Sequence, residues 1–174
     1  MTLVELMVAI SMFMMVLAAA VPVLVSSVKT EPSLRDRAGK IQQARALVER
    51  LGLDLRSGYA IDTATSSQLV FRSYVHQTAC NGAPSTTGTI LCRITYQCAS
   101  GTCTRRLENP GGGSPGPLRT LVTGLSGSAI FSYLPASPAP SEYVQISIVF
   151  PAKVGDDAIT LTDGFSLRNW GLTS

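Results

Sequence analysis

Apolar and polar positions divide this chain into three regions, and the first is almost entirely apolar. From Leu6 to Val25 the only polar side chain is Ser11, and Glu5 is the only charged residue before Lys29. A run of roughly twenty apolar residues is long enough to cross a bilayer as a helix. Ionisable groups within or beside such segments are costly and tend to mark function. Residues 1–28 therefore predict an apolar helix for a membrane or a helical assembly.

The second region, residues 29–58, is predicted to continue as an amphipathic helix. Its apolar positions recur every three or four residues, a spacing typical of a helix with one buried face. Pro32 stands where a new helix could begin, since proline is accepted in a first helical turn. Gly52 and Gly58 indicate fraying near the C-terminal end. The predicted buried positions are Leu34, Ala38, Ile41, Ala44, Val48, Leu51 and Leu55.

The third region, residues 59–174, has the pattern of strands and turns. Alternating positions rich in β-branched and aromatic residues predict strands. Pro-, Gly- and Ser-rich stretches predict loops at 109–117 and 135–141. One long helix followed only by strands predicts an α+β fold, with a C-terminal antiparallel sheet packed on the amphipathic half of the helix and the apolar half protruding. The predicted strands are 68–75, 91–97, 104–107, 119–125, 129–134, 143–150 and 159–168.

The first region also admits interpretations without a special function. A cleaved secretory signal usually begins with basic residues, which are absent here, although Ala18-Ala19-Ala20 could serve as its cleavage site. Thr2 and Glu5 fit a capping box, which explains why an acid is tolerated in the first helical turn. A secreted protein whose first segment is removed therefore stays open as an alternative.

The residues TLVEL followed by MVAISMFMMVLAAAVPVLVSS resemble the mature N-terminus of the type IV pilin and pseudopilin superfamily. The resemblance is specific and covers about the first twenty-five residues. It implies that Met1, where the family usually has Phe, is an N-methylated terminus exposed when prepilin peptidase removes a leader. Three later stretches, LVERLGLDLRSGY, LVFRSY and FSLRNW, are similar to J-type pseudopilins and related minor pilins.

The same resemblance gives roles to two residues of the apolar segment. Glu5 is expected to form a salt bridge with the N-terminal amine of a neighbouring subunit, because a carboxylate inside a filament core is strongly penalised unless it is paired. Pro22 matches the family's helix-bending proline and is expected to kink or unwind the helix. A simple kink at the membrane edge is the alternative for Pro22.

The resemblance implies a structural subunit without enzymatic activity that polymerises into an extracellular type IV pilus filament. Its partners would be identical or related subunits, prepilin peptidase, a membrane assembly platform and, before assembly, inner-membrane lipid. The chain would lie in the cytoplasmic membrane first and in a cell-surface filament afterwards. Two alternatives remain. One is a minor pilin or J-type pseudopilin at the filament tip of a type II secretion-like system, and the other is a membrane-anchored DNA-binding module.

All four cysteines lie in the third region, at positions 80, 92, 98 and 103. An extracytoplasmic head meets oxidising conditions, in which disulfides persist, and four cysteines allow three pairings. Cys98 and Cys103 flank a predicted turn, so they could bridge across a hairpin, which leaves Cys80 with Cys92. Zinc is the competing interpretation, but the spacing lacks CxxC pairs and His76 is the only histidine.

Candidate chemistry in the head is sparse. No nucleophile, metalloprotease or phosphate-loop motif occurs, so the sequence predicts neither catalysis nor a cofactor or metal. Asp156, Asp157 and Asp163 could form a calcium site, but their spacing does not match an EF-hand loop, and turns favour Asp in any case.

The charge balance is mildly basic, with a formal net charge of +3. Arg93, Arg105 and Arg106 cluster near the predicted hairpin and could contact DNA phosphates without sequence preference. A solvated strand face is the alternative for so few charges, because arginine side chains are mostly exposed.

Overall fold

The chain forms one long α-helix followed by β-strands, an α+β fold, in a computed structural model. The structure describes residues 3–80, 82, 84–86, 88–112, 115–134, 143–152 and 157–166, with only the backbone for 26–30, 32 and 33. The helix α1 spans Leu3–Arg56. The described strands are β1 (Gly58–Ala64), β2 (Gln68–Val75), β3 (Ile90–Ala99), β4 (Thr102–Glu108), β5 (Arg119–Thr123), β6 (Phe131–Leu134), β7 (Tyr143–Phe150) and β8 (Ile159–Ser166).

Helix α1 is continuous through both Pro22 and Pro32. A proline removes one backbone donor from a helix, and the neighbouring turns can still hydrogen-bond around it. The new helix expected to begin at Pro32 is therefore not observed. The helix ends at Arg56, whose positive charge suits the C-terminal end of the helix dipole. Ser57 then donates its hydroxyl to the Leu53 carbonyl oxygen at 3.2 Å, and the chain turns into β1.

The chain divides into two compact units, residues 1–39 and residues 40–174. The first unit contains the N-terminal part of α1. The second unit, called the head below, contains the rest of α1 and all the described strands. The segment boundaries expected from the sequence, after residues 28 and 58, stay predictions.

Five strands of the head form an antiparallel meander in the order β1-β2-β3-β4-β5. Strands β2 and β3 pair without interruption from Gln68 opposite Gln97 to Val75 opposite Ile90. Strand β1 was not predicted from the sequence, and its pairing with β2 is irregular in two places. Strand β1 begins with a glycine and is short, so its residues have only a weak preference for the strand conformation. Its pairing with β2 therefore decides its conformation.

The turn between β3 and β4 requires backbone angles that most residues avoid. Ser100 and Gly101 both have positive φ, 49° and 73°, which matches a two-residue type I′ hairpin turn. An added Cβ at Gly101 would come within 2.9 Å of the Leu125 carbonyl oxygen. Leu125 also donates its backbone N–H to the Gly101 carbonyl oxygen at 2.9 Å. The hairpin predicted around Ala99–Thr102 is therefore present, and it is tied to the segment after β5.

The remaining three strands form a second antiparallel sheet in the order β6-β7-β8. The central strand β7 alternates buried and half-buried side chains along its whole length, as a strand between a core and a wetter face should. Backbone hydrogen bonds connect the two sheets, for example from the Phe131 N–H to the Ser66 carbonyl oxygen at 2.9 Å. Predicted strand residues 167–168 and the predicted loop 135–141 lie outside the described residues.

One hydrophobic cluster joins the last turns of α1 to both sheets. Four predicted helix positions, Ala44, Val48, Leu51 and Leu55, are buried, together with Leu47. The prediction is wrong for Leu34 and Ala38, which are exposed. Both belong to the first unit, whereas the buried helix positions all belong to the head. From the sheets the cluster includes Phe71, Ile94, Tyr96, Val122, Val144, Ile146, Ile148 and Phe150.

Two disulfides staple the head, Cys80–Cys92 and Cys98–Cys103. These are the pairs that the sequence analysis favours. Cys98 and Cys103 are directly opposite each other in the β3–β4 hairpin. The Cys80–Cys92 bridge fastens the segment after β2 to the start of β3, with a Cα–Cα distance of 5.5 Å. The two disulfides close short loops, with sequence separations of 12 and 5 residues. A disulfide typically stabilises a fold by about 2–4 kcal/mol, chiefly by restricting the unfolded chain.

Candidate functional site

The largest unusual surface is the apolar part of α1, Leu3–Val25, which we call the apolar segment. It is 23 residues long, and by length and composition it could cross a membrane. Each of its side chains is exposed, including Leu3, 73% exposed, and Phe13, 62% exposed. Soluble monomers rarely expose contiguous apolar surface of this extent. The apolar segment is therefore a candidate membrane anchor or assembly surface.

The predicted site residues of the apolar segment lie at its two ends. Glu5 is in the first turn of α1 and is exposed. An acid there suits the positive end of the helix dipole. Pro22 lies near the C-terminal end, within uninterrupted helix. Met1 lies outside the described residues. Methylation of Met1, an intermolecular bridge from Glu5 and unwinding at Pro22 stay predictions.

A second feature is a buried ionic cluster between α1 and the five-stranded sheet. Asp54 on α1 and Arg105 on β4 are each only 5% exposed. Arg105 Nε donates to Asp54 Oδ2 at 2.7 Å, and the Tyr96 hydroxyl donates to the same oxygen at 2.7 Å. Arg50 Nε lies 3.5 Å from Asp54 Oδ1. One carboxylate thus interacts with two guanidinium groups and a phenol, of which the Arg105 guanidinium and the Tyr96 phenol are buried and the Arg50 side chain is 45% exposed.

The cluster changes the ionisation of its members. Burial is the main reason that the pKa of Tyr96 lies well above its usual value, and the negative charge of Asp54 raises it further. Burial has the largest single effect on the pKa of Arg105 and lowers it, but the charge and hydrogen bond of Asp54, together with those of Tyr96, outweigh burial, and the pKa is raised. At neutral pH the cluster therefore holds a charged arginine and a protonated tyrosine.

The sequence analysis missed this cluster, although a signal for it exists. Asp54 lies between Leu51 and Leu55, two fully buried positions of the same helix face. A charge within an apolar stripe is unusual, because buried carboxylates need partners. The residues opposite it could not be read from the chain, since Tyr96 and Arg105 are 42 and 51 residues away.

The three arginines expected to contact DNA do not share one face of the sheet. Arg105 is buried against α1, whereas its neighbour Arg106 is directed to the other face, since successive strand residues alternate. Arg93 and Arg106 are partly exposed there, and acids lie close to both. Arg93 Nε is 3.6 Å from Asp62, and Arg106 Nη1 is 3.5 Å from Glu108. The three arginines therefore do not form one surface that DNA could contact. DNA binding by the head stays a prediction.

The other candidate residues are scattered. His76 is exposed just after β2. Asp157 and Asp163 are exposed, and Asp163 accepts a hydrogen bond from the Gly164 N–H at 2.7 Å. Asp156 lies outside the described residues. Among the described residues, no three His, Cys, Asp or Glu side chains come together in a way that could hold a metal ion.

Comparisons with known proteins add no family to this picture. No protein-family model matches the chain, and the search of curated proteins found no match. An apolar N-terminal helix followed by a β-sheet head is compatible with a pilin-like fold.

Proposed function

We propose that the protein is a structural subunit of a type IV pilus-like filament and polymerises through its apolar segment. The observation that carries the proposal is that every residue from 3 to 25 is exposed, in a helix that continues into a folded head. Such a surface must be covered by lipid, by other helices, or by each in turn. The N-terminal sequence resemblance favours coverage first by lipid and then by copies or relatives of the same helix.

Assembly would exchange lipid contacts for helix contacts. Because lipid tails are as apolar as leucine, this exchange gains little hydrophobic free energy, and close packing and polar pairing have to favour it. Methionines 7, 12, 14 and 15 are all exposed and adaptable in shape, so they suit irregular helix contacts. A Glu5 carboxylate paired with a neighbouring N-terminus would fix the axial register, as single polar groups do in other helix bundles.

The head has properties that suit a filament surface. Its core is closed by two disulfides, which persist under oxidising conditions outside the cytoplasm. The proposed partners are like subunits, the peptidase that exposes Met1, and a membrane assembly platform.

The decisive experiment replaces Glu5 with Ala in the producing cells. We expect Glu5→Ala to remain in the membrane fraction and to disappear from sheared filaments, measured by immunoblotting and electron microscopy. Glu31→Ala is the matched control, because Glu31 lies on the same helix and pairs with Arg35 at the surface, an interaction worth little. Filaments with normal amounts of Glu5→Ala would disprove the pairing role.

Mass spectrometry of the filament fraction tests the N-terminus and the position in the filament. We expect an intact chain that begins with methylated Met1. A chain that begins near Val21 would indicate a removed signal peptide instead. Many copies per filament would identify a bulk subunit, whereas one copy per filament would identify the tip role of a minor pilin or J-type pseudopilin.

A further inference from the structure

A cavity in the head lies beside the buried ionic cluster, on the same side of the five-stranded sheet. Its volume is about 370 Å³, and its lining includes Arg50, Arg105, Arg119 and Gln77. The volume falls within the range of small-molecule sites, about 300–1,000 Å³. The charged residues of this lining are all arginines, so the lining suits a negatively charged ligand.

Among the described residues, acids balance only part of the positive charge around the cavity. Among the described residues, Asp54 is the only acid in contact with Arg50 and Arg105, so these two arginines share one carboxylate. Arg119 on β5 is directly opposite Arg105 on β4, which places both side chains on one face of the sheet. Like charges directly opposite each other destabilise an antiparallel pair. No acid among the described residues lies within ion-pair distance of Arg119.

Arg105 also has an unused donor at this position. Its Nε is taken by Asp54, but its Nη2 is buried and, like the Nε atoms of Arg93 and Arg106 on the other face of the sheet, has no hydrogen-bond partner among the described residues. A buried guanidinium N–H without a partner costs free energy, and native proteins rarely retain one unless something else supplies the acceptor. The planar guanidinium fork is suited to bidentate contact with a carboxylate or phosphate group.

We propose that this cavity binds a small oxyanion of the carboxylate or phosphate class, held by Arg105 from within and by Arg119 at the edge strand. The bound oxyanion would satisfy the free donor and relieve the repulsion between the two opposed arginines. The site would give the head a ligand-binding function. It does not depend on the filament proposal, because Glu5 belongs to the other unit and does not line the cavity.

The test titrates the full-length protein in neutral detergent with inorganic phosphate and, separately, with citrate, by isothermal titration calorimetry at constant ionic strength. We expect saturable binding of one anion per chain to at least one of the two probes. Arg119→Gln should weaken that binding at least about tenfold, since one charge-assisted contact is lost. Arg119 is exposed on an edge strand, so this variant should fold, as circular dichroism can verify.

Arg106→Gln is the matched control. It removes one arginine from the neighbouring strand β4 and from the other face of the sheet, so this variant should bind the anion as the unmodified chain does. Equal weakening in both variants would indicate a general charge effect and overturn the proposal. The proposal is also overturned if neither phosphate nor citrate shows saturable binding. The same holds if a DNA duplex binds through Arg119 while neither small anion binds.

Discussion

The two ends of helix α1 have similar apolar side chains and opposite surroundings. Leu24 in the apolar segment is 64% exposed, whereas Leu55 in the head is fully buried. Both are leucines in one uninterrupted helix. In the head, the sheets cover the apolar face of the helix. In the apolar segment, the chain leaves the apolar side chains exposed, so lipid or another protein has to cover them. Apolar composition thus predicts that a helix will be covered, and the placement of the strands decides which part the chain covers itself.

The two acids near the ends of the helix differ in burial. Asp54 is buried and satisfied by Arg105 and Tyr96 within the head. Glu5 is exposed on the apolar segment, where we propose an intermolecular partner. One acid should therefore control folding and the other assembly.

Asp54→Ala should have the largest effect on folding. It leaves the Arg105 charge buried without its main partner, a change that costs about 3–5 kcal/mol. Chemical denaturation of the full-length protein in detergent, followed by the near-ultraviolet circular dichroism of the head, measures the free energy of unfolding. Glu5→Ala should leave that free energy unchanged. A loss below about 1 kcal/mol for Asp54→Ala would show that the cluster does not hold the helix on the sheet.

A pair of leucine substitutions sharpens the comparison between the ends of α1. Leu55→Ala should lower the free energy of unfolding of the head by about 2–5 kcal/mol, because it leaves a cavity in the core. Leu24→Ala should change it by less than about 0.5 kcal/mol, as expected for an exposed site. The same denaturation measurement compares them. Equal losses would mean that residue 24 is covered within the chain.

A substitution in the β3–β4 turn tests how much the conformation of Gly101 contributes to the stability of the head. Gly101→Ala should cost about 1–2 kcal/mol, since alanine is strained at positive φ. Its new Cβ would also approach the Leu125 carbonyl oxygen. Gly111→Ala is the control, because a Cβ there meets nothing within 4 Å. We expect a lower thermal midpoint for Gly101→Ala than for Gly111→Ala. Equal midpoints would contradict the turn assignment.

The raised pKa of Tyr96 predicts a pH dependence with a definite sign. Above about pH 10, the ordinary pKa of tyrosine, the unfolded chain releases this proton while the folded head retains it. Stability is therefore fully present below pH 10 and falls as the pH rises, by at most about 1.4 kcal/mol per pH unit from this group.

Tyr96→Phe should make the free energy of unfolding less dependent on pH between about pH 10 and 11, the range just above the ordinary tyrosine pKa. Chemical denaturation at several pH values in this range measures the dependence. Tyr74→Phe, at an exposed position, should leave the dependence unchanged. Burial also raises the pKa of Tyr133, so part of the dependence should remain in both variants. An identical slope in the two variants would contradict the burial of the Tyr96 proton.

Sequence reasoning succeeded where one local pattern was strong. The alternation in 143–150 predicts β7 residue for residue, and the segment 99–102 predicts the hairpin. It failed for β1, Gly58–Ala64, where a glycine-led segment has little intrinsic preference and pairs irregularly with β2. It also failed for Leu34, since helical periodicity continues beyond the point at which the strands can cover the helix.

By itself the sequence determined the type of each strong element, the apolar character of residues 3–25 and the chemistry available to the cysteines. These are properties of neighbouring residues, because periodicity and hydrophobicity act over a few turns. Only the tertiary structure decided which helix positions are buried, that Asp54 meets Arg105, and that Arg105 and Arg119 face one cavity. Such contacts join residues far apart in the chain, and they form only when strand register and helix packing are fixed together.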